Sequence, residues 1–222
     1  MNKKFFVLMM ALMMGVFTIS AQHDKGGFSI QFGCIKPGYN FNDDPELVIP
    51  GTNSFGSAGG AMTGASIGLK YTYSFKNTIL EKSGLGIFLA ADGMWNAMNK
   101  DLRTTYDNMS CTKPMYVNVP IQVGFSYKTP GRIFNAWAEY SLGADLFMKT
   151  QEGWRNSTIK YQMNTEFATQ VGFGILLART VSLGVHYYWL GKHDVRPQSD
   201  NLINEGSQMK MGAWAFKLGF HM

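Results

Sequence analysis

Bulky apolar side chains recur at every second position in eight stretches of the chain. The last is the plainest, "MGAWAFKLGFHM" at 211–222. There Trp214, Phe216, Leu218, Phe220 and Met222 fall on one face of an extended strand, and Ala213, Ala215, Lys217, Gly219 and His221 on the other. The same alternation predicts strands over 27–37, 60–75, 83–93, 116–127, 133–148, 162–177 and 181–190. In the fourth, Val117, Val119, Ile121, Val123, Phe125 and Tyr127 oppose Tyr116, Asn118, Pro120, Gln122, Gly124 and Ser126. Pro120 has no N–H to give a ladder, so a bulge or a locally missing bond is expected there. Helical spacing is not sustained for more than about a turn in any of these stretches.

The connections alternate in length. Long polar segments cover 38–59, 94–113, 149–161 and 191–208, and short ones cover 76–82, 128–132 and 178–180. An up-and-down meander with that order gathers every long loop at one end and both termini at the other.

The two faces differ in chemistry. One is rich in Phe, Leu, Ile, Val, Tyr and Trp; the other is mostly Gly, Ser, Ala, Gln and Asn. Small polar residues suit the inside of a narrow barrel, and large apolar ones are favoured against hydrocarbon, at roughly 25 cal/mol per Å² removed from water. Closure satisfies the backbone polar groups that an open sheet edge would leave unmet in lipid. The fold class expected is all-β, an eight-stranded antiparallel up-and-down transmembrane β-barrel. Tyr71, Tyr73, Phe75, Tyr127 and Phe134 at the short-turn end, and Tyr187, Trp189 and Trp214 at the other, would form its interfacial ring girdles.

Residues 1–21, "MNKKFFVLMMALMMGVFTISA", place Lys3 and Lys4 before an apolar run and a small-residue cleavage site before Gln22. This is the form of a secretory signal peptide, leaving 22–222 as one barrel domain. The net charge of +5 becomes +3 once those two lysines are removed, too little and too scattered to point to nucleic acid. Nothing in 22–222 approaches the roughly 20 apolar residues of a spanning helix. Cys34 and Cys111 could form a disulfide in an exported protein, or stand apart as two small hydrophobes.

The terminal aromatic-alternating strand resembles the recognition signal of bacterial outer-membrane barrels, except that His221 and Met222 follow Phe220. The "ISAQ" region, Ile19 to Gln22, and the run Tyr116, Asn118, Val119, Pro120 are similar to the outer membrane protein beta-barrel domain family of the Bacteroidetes, which comprises small porin-like barrels. An acidic residue of that family's pattern is replaced by Asn118. The resemblance implies an outer-membrane location and eight strands, and it implies no catalytic constellation.

Lys70, Asp92, Glu139, Asp145, Glu166, His186 and Lys217 point to the expected interior. Isolated charges there are costly, so a hydrogen-bonded plug is expected in which Lys70 and Lys217 balance Glu139 or Glu166. A small-solute pore is the alternative function. A lipid-modifying enzyme is the weaker one, built on His186 with Glu139 or Glu166 and Ser141 or Ser182. No catalytic residue, cofactor or metal site is assigned. His23, His193 and His221 lie far apart in sequence, and Asp43, Asp44 and Glu46 read as a solvated acidic loop. The expected partners are outer-membrane lipids and a surface protein met through long loops such as 106–113 and 192–201, with a monomer as the expected state.

Overall fold

Inward and outward positions alternate along β4 (Met115–Lys128) without interruption: Tyr116, Asn118, Gln122 and Ser126 are buried, whereas Ile121, Val123, Phe125 and Tyr127 are exposed. The same period governs β1 (Gly26–Gly38), β2 (Gly64–Ser74), β3 (Leu85–Ala97), β5 (Phe134–Lys149), β8 (Asn164–Leu177), β9 (Val181–Val195) and β10 (Ser207–His221). A short hairpin, β6 (Glu152–Trp154) with β7 (Ser157–Ile159), and one helix, α1 (Lys100–Asn108), fall in the long connections. The computed structural model describes residues 26–43, 59–75, 84–108, 110, 112–131, 133–150, 152–154, 157–195 and 207–222. The expected signal segment 1–21 lies outside the described residues.

The eight long strands close into one antiparallel barrel in the order β1-β10-β9-β8-β5-β4-β3-β2. Closure is made by β10 on β1, from Ser29 opposite His221 to Gly38 opposite Gly212. Both ends of the described barrel chain therefore meet at the short-turn end, where the Met222 N–H donates to the Phe28 carbonyl at 2.8 Å. In the short turn after β8, the Thr180 N–H reaches the Leu177 carbonyl at 3.0 Å. Ala178 and Arg179 take positive φ there, at 49° and 62°. Three residues, 178–180, separate the paired Leu177 and Val181, and left-handed backbone at two of them is a conformation that glycine or asparagine more usually supplies.

The fate of Pro120 is the milder of the two expected. Pairing of β3 with β4 lapses between Ala91–Ile121 and Met94–Asn118, then resumes in the same register. The bond that proline cannot make is simply absent, and Asp92 faces the lumen by the same alternation as Ala90 and Met94.

A bulge does occur on β9, where Leu190 is the extra residue. Met211 pairs with Gly191 and Gly212 with Trp189, a one-residue shift. Gly191 sits at φ +87°, a conformation other residues rarely adopt. Beyond it the inward set changes from His186, Tyr188 and Leu190 to His193 and Val195. The seventh strand expected to stop at 190 thus continues to Val195, and the expected loop segment 192–195 is strand.

Outside, the barrel carries a continuous apolar band that includes Phe32, Leu69, Leu89, Val123, Leu142, Phe173, Leu183 and Phe216, with Leu69 47% and Leu89 58% exposed. Trp95, Trp189 and Trp214 mark its long-loop border, and Tyr71, Tyr127, Phe134 and Phe220 the other. Such a surface is stable only against hydrocarbon. Among the described residues no helix is long and apolar enough to cross a membrane, so any crossing falls to these strands. Cys34 lies exposed on the same outer face; Cys111, and with it the considered disulfide, lies outside the described residues.

Candidate functional site

Facing side chains from opposite walls meet across the lumen in three connected groups. In the first, the Lys70 ammonium on β2 donates to Glu139 Oε2 on β5. Glu139 Oε1 accepts from Gln170 Nε2 at 2.8 Å and lies 3.3 Å from His186 Nδ1. Gln170 Nε2 also stands 2.6 Å from His186 Nδ1, and Ser141 Oγ lies 3.0 Å from Gln170 Oε1 and 3.1 Å from Gln122 Oε1. The rings of Phe88 and Trp137 pack on Lys70, at 4.4 Å and 5.5 Å from Nζ. Gly172 makes room for this group, since a Cβ there would fall 2.6 Å from His186 Nδ1.

The second group joins strands on the other side. Lys217 Nζ on β10 lies 2.5 Å from Asp92 Oδ1 and 2.7 Å from Tyr188 Oη, with Gln31 Oε1 at 3.3 Å. The Tyr188 hydroxyl donates to Asp92 Oδ2 at 2.9 Å, and its ring stacks on His186 at 6.2 Å. Lys217 was expected to balance Glu139 or Glu166. Its partner is Asp92 on β3, and Glu166 is left half-buried beside the β9 bulge.

The third group lies nearer the long-loop end and depends on the bulge. His193 is fully buried, with Nε2 3.0 Å from Asp145 Oδ2 and 2.7 Å from the Leu190 carbonyl, and Nδ1 3.0 Å from Asn164 Oδ1. Asn118 Nδ2 donates to the same Asp145 oxygen at 2.7 Å. His193 falls within 191–208, a segment whose sequence predicts a loop. Gly191 was the available signal, because a glycine inside a strand pattern marks a bulge.

Above these polar groups an apolar plug occupies the long-loop mouth of the barrel. Ile35, Phe41, Met94, Tyr116, Phe147, Tyr161, Leu190, Val195, Met209 and Met211 form one buried cluster. Phe41 comes from the 3-10 turn Tyr39–Phe41 that follows β1, and packs edge-on against Tyr116 at 5.3 Å and Phe147 at 6.5 Å. The Tyr116 hydroxyl donates to the Gly59 carbonyl at 2.5 Å, tying the return of the first long loop to β4. Two residues expected to lie in loops, Phe41 and Tyr161, thus enter the barrel.

The residues weighed for catalysis are dispersed. Ser182 Oγ is 2.8 Å from His221 Nε2 at the short-turn end, and Ser141 binds glutamines. No serine is bonded to His186 among the described residues, so the nucleophile, base and acid of a triad are not assembled around it. Asp43 is exposed, while Asp44 and Glu46, like His23, lie outside the described residues. No group of metal-binding side chains is found among the described residues.

No family model matches the chain, and no curated protein matches it. Solved structures do. Neisserial surface protein A (NspA) aligns over 89% of this chain and 96% of its own, at 11% identity and a TM-score of 0.54. The outer membrane protein OprG of Pseudomonas aeruginosa aligns over 90% and 97%, at 15% identity and a TM-score of 0.51. The outer membrane enzyme PagL also aligns, over 88% and 98% at 14% identity, but its TM-score of 0.44 is too low to carry an argument. At such identities the likeness is one of fold, and no family model supports the Bacteroidetes family suggested by "ISAQ" and Tyr116–Pro120. The chain is an eight-stranded antiparallel β-barrel of the outer-membrane type.

Proposed function

We propose that the protein is a non-conducting, non-enzymatic scaffold of the bacterial outer membrane, inserted after removal of residues 1–21, that presents its long loops to the exterior. The observation that carries this reading is the filled lumen: an apolar plug around Phe41, Tyr116 and Phe147 stands over the Lys70–Glu139 and Lys217–Asp92 pairs. A solute would have to displace well-packed rings and then separate buried ions, which costs several kcal/mol per ion. An eight-strand barrel has little interior left once its side chains are in place. With the interior committed to holding the walls together, the loops are the part free to meet another molecule, and one matched fold belongs to a protein described as a surface protein.

Planar-bilayer recording of the purified, folded protein is the test. No sustained channel current is expected. Reproducible single-channel steps, absent from detergent controls, would overturn the scaffold reading in favour of a small-solute pore.

A further inference from the structure

The short-turn half of the lumen contains hydrogen-bond donors that no acceptor meets. Trp137 on β5 and His186 on β9 both face inward, 8% and 1% exposed, and among the described residues neither Trp137 Nε1 nor His186 Nε2 makes a hydrogen bond. Polar groups buried in this way are costly unless something pairs with them. The two rings lie 5.4 Å apart between centroids and reach the same place on the wall. A Cβ at Gly184 would fall 2.3 Å from Trp137 Cζ2, on the nitrogen-bearing side of the indole, and 3.3 Å from His186 Nε2.

The hydrogen on His186 is placed by its other nitrogen. Gln170 Nε2 stands 2.8 Å from Glu139 Oε1 and 2.6 Å from His186 Nδ1. The carboxylate fixes the amide's orientation, because an amide oxygen in that position would face a charged oxygen. The second amide hydrogen then points at Nδ1, where a ring hydrogen would collide with it. Nδ1 is therefore the acceptor, and Nε2 carries the hydrogen. A third donor comes from β4. Lys128 continues the inward series of Gln122, Gly124 and Ser126 and stands in register with Trp137, about 5 Å away at Cβ. It is half-buried and, among the described residues, forms no salt bridge. The other charges here are already matched, Lys70 with Glu139 and Lys217 with Asp92, so three lysines face two carboxylates. Glu139 approaches the Nδ1 side of the His186 ring, away from the free Nε2, and His221 at this mouth is engaged by Ser182 Oγ at 2.8 Å.

We propose that the Trp137 Nε1–H, the His186 Nε2–H and the Lys128 ammonium hold one small monovalent anion of the halide class, admitted from the short-turn end. A single negative charge cancels the surplus lysine, and an acceptor-only ion takes up all three donors. A water molecule would accept from two of them at most and bring two hydrogens of its own. The unbonded buried acceptor at this end, Asn135 Oδ1, lies two residues nearer the turn on β5. The depth of Trp137 and His186 leaves no room for a bulky ion. Once bound, the anion ties β4 and β5 to β9 across the lumen. It is held and not passed, so the outcome of conductance recording leaves the site untouched.

Nitrogen–proton NMR of the tryptophan indoles, with the full chain folded in phosphatidylcholine nanodiscs, reads the site as sodium chloride replaces sodium gluconate at constant ionic strength. The Trp137 resonance, identified by its loss in W137F, is expected to shift saturably, while those of the outward-facing Trp95, Trp189 and Trp214 stay in place. K128Q should weaken the binding by about tenfold or more with unchanged heat-modifiable folding. A K113Q control, whose lysine pairs with Asp107, should bind like the wild type. A parallel titration with sodium formate separates a halide site from a carboxylate site, and a Trp137 resonance moved by formate alone would overturn the halide assignment. An unmoved Trp137, a shift shared by all the indoles, or equal affinity in K128Q would overturn the site and leave the two N–H groups to water. Should K128Q fail to fold, urea titration decides instead. The wild-type midpoint should be higher in chloride than in gluconate and that of W137F the same in both, whereas equal wild-type midpoints would overturn the proposal.

Discussion

Leu69→Arg is expected to destabilise the folded barrel in lipid by roughly 2–4 kcal/mol, the cost of an arginine facing the bilayer midplane. Leu69 lies near the middle of β2, pairs with Ile30 on one side and Ala91 on the other, and is 47% exposed to whatever surrounds the barrel. In water that exposure would make a charged replacement nearly neutral or favourable, so the sign of the effect separates the two solvents. Urea titration of folding into lipid vesicles, followed by the heat-modifiable shift on gels, measures it. A midpoint equal to the wild type would mean that Leu69 does not face acyl chains.

The second large effect comes from the interior. Glu139→Leu should cost about 3–5 kcal/mol, because it leaves the Lys70 ammonium buried without its partner. Lys70 is 8% exposed and Glu139 7%, so water cannot take over. Gln170 and His186 also lose the oxygen they share. The double variant Lys70→Met with Glu139→Leu removes both charges and fills the space with apolar atoms, and most of the loss should be recovered. The same urea titration compares the two. Equal destabilisation by the single and double variants would assign the cost to packing rather than to the unpaired charge.

The strands were legible because each is read from its own residues. Period-two alternation alone separates Val123 from Gln122 and Phe216 from Lys217, and the structure places each on the expected face. Interior contacts are another matter, because they depend on how the sheet curls. Lys217 and Asp92 are brought together although β1 and β2 separate their strands in the sheet, and no local pattern expresses that crossing. Lys70 with Glu139 was among the pairings anticipated; Lys217 with Asp92 was not. His193 was missed because one extra residue at Leu190 reverses the parity of all that follows, turning an apparent loop histidine into a buried partner of Asp145. The plug was missed for a related reason. Phe41 and Tyr161 lie outside the alternating segments, and single aromatics in polar stretches give no sign that the chain folds back into the barrel.

The interior also holds larger rings than its Gly- and Ser-rich pattern suggested. Phe88, Trp137 and Tyr188 all face inward, beside small neighbours that accommodate them. A Cβ on Gly124 would fall 2.8 Å from the Phe88 ring, and one on Gly174 would fall 2.6 Å from Trp137. The small residues are therefore counterparts of large ones on adjacent strands, which is how a narrow barrel fills its taper.

Proton contacts between side-chain methyls and lipid acyl chains, recorded by NMR on the folded protein in nanodiscs, test most directly which face of the sheet meets the membrane. Leu69, Leu89, Val123, Leu142, Leu183 and Leu218 should show acyl-chain contacts, and Ile35, Ala168 and Ala215 should show none. Lipid contacts on the second set, or their absence from the first, would contradict the enclosed polar interior on which the proposed role depends.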